Sequence, residues 1–509
     1  VWNAPSSTYT PIGPNHIFLA LWMLAQAGFY APRSLLGWAL PVAKTAGNMI
    51  NFNSAAILFT VCRLLLGKVR QTFLRRIIPV DHHISFHQIV GWCIAFWSIV
   101  HGCGHYFIEL ILSQKVPGMP APEMQALTTP SGVTGQILCV CLCVMISAAV
   151  VSVRRKYYEI FWVTHSLYAV FFLVCLIHVS FCLVKPSDDP TAPPECYIPR
   201  KFWKWWIGGA ICFLVERVTR EIVGRLPTNI VKVVQHPSST IQVRINRPSI
   251  RPKAGQYIYI CCPEISSLEW HPFTLASAPH EEYICVYIRL VGDWTKKFAE
   301  LCGYNDGEGK MEVREPPQIL IHGPYGAPAE DVFKFETSVL VAGGIGATPF
   351  SSVLKSFWYR LSQPELMKLR KVYFIWVCRD YTAFEWFHDL ILELETDAKA
   401  SNRNFSELLD VSIYLTGKLG IDNVYNICVN EAEEGNRIDT ITGLESKTHF
   451  GRPDLDKVFG RLSQENRAMD VGVFFCGPAR LRDSLLVACN KWTDGTKFGT
   501  RFFFAAEVF

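Results

Sequence analysis

The sequence is poor in charge: Asp, Glu, Lys and Arg make up 18% of its 509 residues, while half of the chain is hydrophobic. Acidic and basic residues nearly balance, at a formal net +5, so nothing argues for a nucleic-acid partner. The eighteen cysteines contain no paired CxxC pattern, which removes the common cysteine-based metal sites. Cys139, Cys141 and Cys143 share one apolar run and read as small buried hydrophobes. Cys196 falls in an expected outer loop that offers it no partner, and the outer loops carry no Asn-x-Ser/Thr acceptor. The first residue is not Met, so the native start is expected upstream, with room there for a regulatory extension.

The apolar residues crowd into the first 220 positions. Six segments there are expected to span a bilayer: about 16–31, 46–66, 84–108, 133–153, 158–182 and 203–219. Arg63, Lys68, Arg70, Arg75 and Arg76 surround the second connection, Arg154, Arg155 and Lys156 fill the fourth, and Arg217 and Arg220 follow the sixth segment. All lie on one side if the first helix runs outward, and positive residues mark the cytoplasm. The opposite loops have mixed charge (Glu109, Lys115, Asp188, Asp189, Glu195), and Trp203, Trp205 and Trp206 read as an interfacial belt.

Within the third segment, His87 and His101 are fourteen residues apart, and His105 follows one turn later. Fourteen residues rise about 21 Å along a helix and return to within about 40° of the starting face. Polar groups at such depths are costly and mark function. The fifth segment again has a histidine at each end, His165 and His178. Two helices that each present imidazole at two levels can ligate two stacked haems from both axial sides. With the orientation above, His87 pairs with His165 at the cytoplasmic level and His101 with His178 at the outer level. The second spacing is thirteen, which leaves its pair about 140° apart on an ideal helix. Either that helix is distorted, or the two haems are approached from different sides.

After Pro227 the texture changes to short β-branched runs punctuated by Pro and Gly, which predict an antiparallel barrel. Near Ser338 it changes again, to buried-type strands alternating with helical runs, which predict a doubly wound parallel sheet. The expected domains are 1–220, a six-helix transmembrane bundle; 221–335, the barrel; and 336–509, the α/β domain. His271-Pro272-Phe273-Thr274 reads as a turn able to hold a flavin ring and its ribityl chain. Arg289, then Gly292, Trp294 and Thr295, place a cation before a helix start, where a diphosphate binds. Gly343, Gly344, Gly346, Thr348 and Pro349 form a strand-to-helix turn suited to a pyrophosphate. Arg379, in Cys378-Arg379-Asp380, ends the next strand and suits a 2′-phosphate, which selects NADPH. Cys476-Gly477-Pro478 leaves room for a nicotinamide, and the terminal Phe509 is placed to cover a flavin face. The acidic run 420–439 reads as a solvated loop.

The four histidines, the HPFTLASA, IRLVGDWT, AGGIGATP, WVCRD and FCGP runs, HGPYG with Gly323, and the final Phe509 together resemble the catalytic subunit of the NADPH oxidase family. The resemblance covers nearly the whole chain. It is similar to ferric reductases in its membrane half and to ferredoxin–NADP reductase in its soluble half. It implies two haem b groups, FAD and NADPH, with electrons carried from cytosolic NADPH to extracytoplasmic oxygen as superoxide. It also implies an oxygen-reducing site of a histidine and an arginine, matched here by His105 and Lys44, so that charge is kept but the planar fork is lost. A small membrane subunit, cytosolic activators and a Rac-type GTPase are the partners it implies, in the plasma membrane or an endomembrane. The alternatives are a transmembrane ferric or cupric reductase, and a receptor or scaffold with a decayed reductase domain. The intact glycines and four histidines count against the latter.

Overall fold

The computed structural model describes residues 36–76, 80–181, 183–185, 195–197, 203–226, 228–236, 239–248, 250–304, 315–363, 367–379, 385–417, 439, 442, 444–446, 448–496 and 498–507. The expected first span, Asp188, Asp189, Asp380, residues 420–438, Val508 and Phe509 lie outside them, as do the side chains of Arg75, Arg76, Arg155, Glu195, Cys196 and Trp203. The chain divides into two compact units, Val1–Val218 and Thr219–Phe509.

The first unit is helical. Helix α1 (Ala39–Phe59) bends by 77° into the short α2 (Arg63–Arg70). Then come α3 (His83–Lys115), α4 (Pro122–Thr128), α5 (Pro130–Ala149), α6 (Val151–Lys156), α7 (Tyr158–His165) and α8 (Tyr168–His178). An antiparallel pair, β1 (Leu183–Lys185) and β2 (Glu195–Tyr197), precedes α9 (Trp203–Gly224). The start of α5 is set locally: Pro130 occupies its first turn, and the Thr129 hydroxyl accepts from the Gly132 amide at 3.1 Å. Among the described residues, α3, α5 and the segment Tyr158–His178 are long and apolar enough to cross a membrane, with a fourth if α1 and α2 count as one bent span. The expected sixth span is helical, but Lys204, Glu216 and Arg217 interrupt its apolar run.

Leu40 and Ala43 of α1 pack on Ile108 and Leu112 of α3, and Val90 and Ile94 pack on Cys141, Met145 and Phe171. The opposite faces are apolar as well: Trp92, Ile99, Val140, Val163 and Leu173 are all exposed. A bilayer, unlike water, accepts that surface without penalty. Of the expected tryptophan belt, Trp205 is outward, but Trp206 is buried edge-on against Phe172, with centroids 5.1 Å apart. Packing against α8 wins there over an interfacial position.

The second unit begins with two three-stranded antiparallel sheets. One has the order β3 (Asn229–His236), β4 (Thr240–Asn246), β7 (Ile284–Arg289); the other is β6 (His271–Thr274), β5 (Tyr257–Cys261), β8 (Leu320–Tyr325). Alternate residues of both, among them Ile241, Val243, Ile258, Ile260 and Val286, enclose one core with helix α10 (Asp293–Leu301). Among the described residues, the expected barrel is two sheets sharing a core and joined by the bridge Leu275–Val286.

A six-stranded parallel sheet follows. Its strands are β9 (Thr337–Gly343), β10 (Lys371–Cys378), β11 (Leu409–Leu415), β12 (Thr448–Phe450), β13 (Asp470–Cys476) and β14 (Arg501–Glu507), in the order β12-β11-β10-β9-β13-β14. Helices α11 (Thr348–Leu361), α12 (Glu385–Ala400), α13 (Phe405–Leu408), α14 (Leu455–Glu465) and α15 (Ala479–Trp492) connect them. Along β9 the side chains alternate between two cores: Leu340 and Ala342 enter one, and Val339 and Val341 enter the other. The strand order reverses between β9 and β13, and ligands of such sheets bind at the carboxyl ends beside that reversal.

Candidate functional site

In the membrane unit, His87 and His101 lie on α3, while His165 and His178 close α7 and α8. The rings pair across the bundle, His87 with His165 at 6.1 Å between centroids and His101 with His178 at 6.3 Å. Metal–imidazole bonds are about 2.0 Å and a ring centroid lies about 1.1 Å behind its ligating nitrogen, so two imidazoles on one metal stand about 6.2 Å apart. Both pairs fit two axial ligands of one iron.

On three of the four rings Nδ1 is engaged in a way that leaves Nε2 for a metal. His87 Nδ1 is 2.8 Å from the Thr60 hydroxyl, His101 Nδ1 donates to the Ala43 carbonyl at 3.0 Å, and His178 Nδ1 is 2.9 Å from the Thr134 hydroxyl. His165 Nδ1 is buried with no hydrogen-bond partner among the described residues. Two glycines let rings lie close against neighbouring helices, since a Cβ on Gly47 would meet His101 Cε1 at 3.3 Å and one on Gly135 His178 Cε1 at 3.5 Å; a Cβ on Gly91 meets nothing within 4 Å. Gly91 is four residues past His87 and shares its helical face.

The thirteen-residue mismatch between His165 and His178 is resolved by distortion. The helix breaks at Ser166–Leu167, where Leu167 N bonds Thr164 O and Ala169 N bonds Ser166 O, both at 3.2 Å. Such three-residue turns rotate about 120° per residue instead of about 100°. The extra rotation at this break narrows the offset of about 140°. His105 stands beside His101, with ring centroids 4.6 Å apart. Lys44 is half-buried and follows Ala43, the residue whose carbonyl holds His101.

In the soluble unit, His271–Thr274 is a strand, β6, and not the turn expected; Pro272 is tolerated because β6 is at the sheet edge. Phe273 and His271 pack on Trp294, which is itself buried and stacked on Phe298, so Trp294 supports the site from within the core. Burial holds the His271 imidazole below its ordinary range, against the raising effect of the Glu269 carboxylate at 3.4 Å. Arg289 ends β7 in an exposed position, and Gly292 caps α10 in a box with the Thr295 side chain. A Cβ on Gly292 meets nothing within 4 Å, so the helix start is open, three residues after the exposed Arg289. Gly323 lies in β8, where a Cβ would press on Tyr257 O at 3.2 Å.

Four chain segments gather at the carboxyl edge of the parallel sheet: the Gly343–Ala347 turn after β9, Arg379 after β10, Cys476-Gly477-Pro478 after β13, and Glu507 at the end of β14. Gly344 has φ +58 and open space before it, which lets a ligand approach the main chain. Gly346 is held differently: a Cβ there would lie 2.2 Å from Cys476 O. Thr348 and Pro349 begin α11, so the helix start adds its positive end to the turn. The Trp376 indole donates to Gly344 O at 2.9 Å and fixes the turn from below. Burial first, and then the charge of Glu507, push the Cys476 thiol well above its ordinary range, which makes it a small uncharged wall.

Residues 53–176 match the family described as Ferric reductase like transmembrane component, 225–329 an FAD-binding domain, and 335–490 a Ferric reductase NAD binding domain. The chain is 34% identical over 494 residues to a superoxide-generating NADPH oxidase heavy chain of Dictyostelium discoideum, across 93% of this chain and 91% of that one. It is 33% identical over 546 residues to NADPH oxidase 3 of Homo sapiens, with coverage of 96% and 94%. With NADPH oxidase 4 of Homo sapiens it shares 30% identity over 589 residues, with 98% of each chain covered. A ferric reductase-like membrane unit joined to flavin- and nucleotide-binding domains defines an integral membrane oxidoreductase. The chain belongs to the NADPH oxidase family.

Proposed function

We propose that the chain carries electrons from cytoplasmic NADPH across the membrane to oxygen and releases superoxide outside the cytoplasm. The observation that carries this reading is the pair of facing imidazole couples at 6.1 and 6.3 Å within apolar helices. The basic connections around Arg63–Arg70 and Arg154–Lys156 support a cytoplasmic soluble unit. The working domains are 1–220 for two haems, 221–335 for FAD and 336–509 for NADPH.

His87 with His165, and His101 with His178, are the ligands to the two haems. Thr274, Arg289 and the α10 start at Gly292 hold the flavin and its diphosphate, and Phe509 covers the ring. Gly343, Gly344 and the α11 start hold the pyrophosphate of NADPH, Arg379 its 2′-phosphate, and Cys476-Gly477-Pro478 its nicotinamide. When bound, these groups supply hydride donation, conversion of an electron pair into single electrons, and one-electron transfer through iron. Were the four imidazoles to hold the two haems, no ligand position would be left for oxygen on iron, and the Lys44 charge and His105 hydrogen bonding would favour the developing superoxide. A small membrane subunit, cytosolic activators and a Rac-type GTPase are candidate regulators.

Membranes containing the protein and given NADPH are expected to consume oxygen and to reduce cytochrome c in a manner blocked by superoxide dismutase. Electron flow only on addition of ferric chelate would overturn the reading in favour of a metalloreductase.

A further inference from the structure

The four haem-facing histidines are unequal in their second contacts, and the inequality fixes proton positions. The Thr60 hydroxyl donates its only proton to Ile57 O at 2.6 Å. Toward His87 Nδ1, at 2.8 Å, it can therefore only accept. Thr134 repeats the arrangement: its hydroxyl donates to Pro130 O at 2.7 Å and so accepts from His178 Nδ1, at 2.9 Å. The Ala43 carbonyl, an acceptor only, takes the proton of His101 Nδ1. Three rings thus carry hydrogen on Nδ1 and present a bare Nε2. The fourth, His165, has a buried Nδ1 that nothing among the described residues receives.

An acceptor on Nδ1–H makes the imidazole a more basic ligand and orients its ring. A more basic ligand favours the ferric over the ferrous state. Among the described residues, one such contact serves the His87/His165 couple, and two serve His101/His178. We infer that Thr60 and Thr134 are positioning residues, each setting the tautomer of one ligand and the reduction potential of one haem independently, with His165 as the unanchored ligand. This rests on the haem reading proposed above.

The test is a spectroscopic redox titration of the purified, haem-loaded parent, Thr60→Val, Thr134→Val and Thr60→Ser proteins. Valine keeps the shape and removes the acceptor. Each valine variant is expected to raise one potential only, a different one in each, by about a tenfold change in the ferrous-to-ferric ratio, which is about 59 mV for one electron. Thr60→Ser is expected to keep the parent potentials. Valine variants with intact haem spectra and both potentials unmoved, or with both moved together, overturn the inference alone. If Thr60→Val loses haem, the serine variant decides: haem at the parent potential supports the hydroxyl's role, and haem loss overturns it. A parent without a two-haem bis-imidazole spectrum overturns the underlying reading as well.

Discussion

Adding one methyl group at Gly346 tests the nucleotide site most sharply. A Cβ there stands 2.2 Å from the Cys476 carbonyl oxygen, 2.7 Å from its carbonyl carbon and 3.0 Å from its sulfur. The two nearest are main-chain atoms of β13, a strand hydrogen-bonded on both sides by β9 and β14, so the neighbour cannot rotate away. Relief comes only from pushing the Gly343–Ala347 turn outward, into the space assigned to the pyrophosphate. Overpacking of this kind costs about 1–3 kcal/mol, equivalent to about a 5- to 150-fold loss in productive NADPH engagement. Gly344→Ala acts differently: its Cβ meets no protein atom within 4 Å, but at φ +58 it carries about 1–2 kcal/mol of backbone strain and enters the space through which a ligand reaches the main chain. The assay is anaerobic stopped-flow reduction of the bound flavin by NADPH, with the haem spectrum recorded on the same samples. Gly346→Ala should slow flavin reduction or raise KM by the stated factor and leave the haem bands unchanged. A folded Gly346→Ala protein that reduces its flavin at the parental rate and KM would refute the reasoning.

Three further outcomes are expected. His101→Leu should remove one haem and superoxide output while NADPH still reduces the flavin, checked by haem quantification alongside the stopped-flow assay. Arg379→Ala should weaken NADPH more than NADH and narrow the ratio of their kcat/KM values about tenfold or more, as loss of a charge-assisted phosphate contact implies. The third concerns pH. Because His271 is held below its ordinary value, the unfolded chain takes up the proton first as pH falls. Its contribution to stability is complete above the ordinary histidine value of about 6.5 and is lost as pH falls from there through the folded value. Melting followed by flavin fluorescence should drop more between about pH 7.5 and 5.5 in the parent than in His271→Gln.

The architecture was largely legible because each half writes its pattern in a different period. Unbroken apolar runs marked the helices, and the change to short β-branched runs after residue 227 marked the sheets. The helix break at Ser166–Leu167 was readable as an angular misfit between His165 and His178, although two explanations then stood equal. The strand His271–Thr274 was hidden by Pro272, which argues against a strand everywhere except at an edge. Trp206 carried an interfacial signal that contact with Phe172 overrides. The contacts that orient the histidines were not legible at all. Thr60 is 27 residues from His87, Thr134 is 44 from His178, and Ala43 is 58 from His101. Threonine within an apolar helix usually bonds its own preceding turn, so its type gives no notice of a distant partner. Glycines at 47, 91 and 135 were the available hint, since a missing side chain inside an apolar helix makes room for something else.

Of the three anchored rings, His87 and His178 meet a threonine hydroxyl, whereas His101 meets a main-chain carbonyl. The carbonyl of residue 43 is there whatever side chain that position bears, so point substitution cannot delete the anchor as it can at Thr60 or Thr134. What it can do is wedge the helices apart, because a Cβ on Gly104 would meet the Ala43 Cβ at 2.9 Å. His101 is thereby insulated from drift in chemistry and vulnerable only to drift in size.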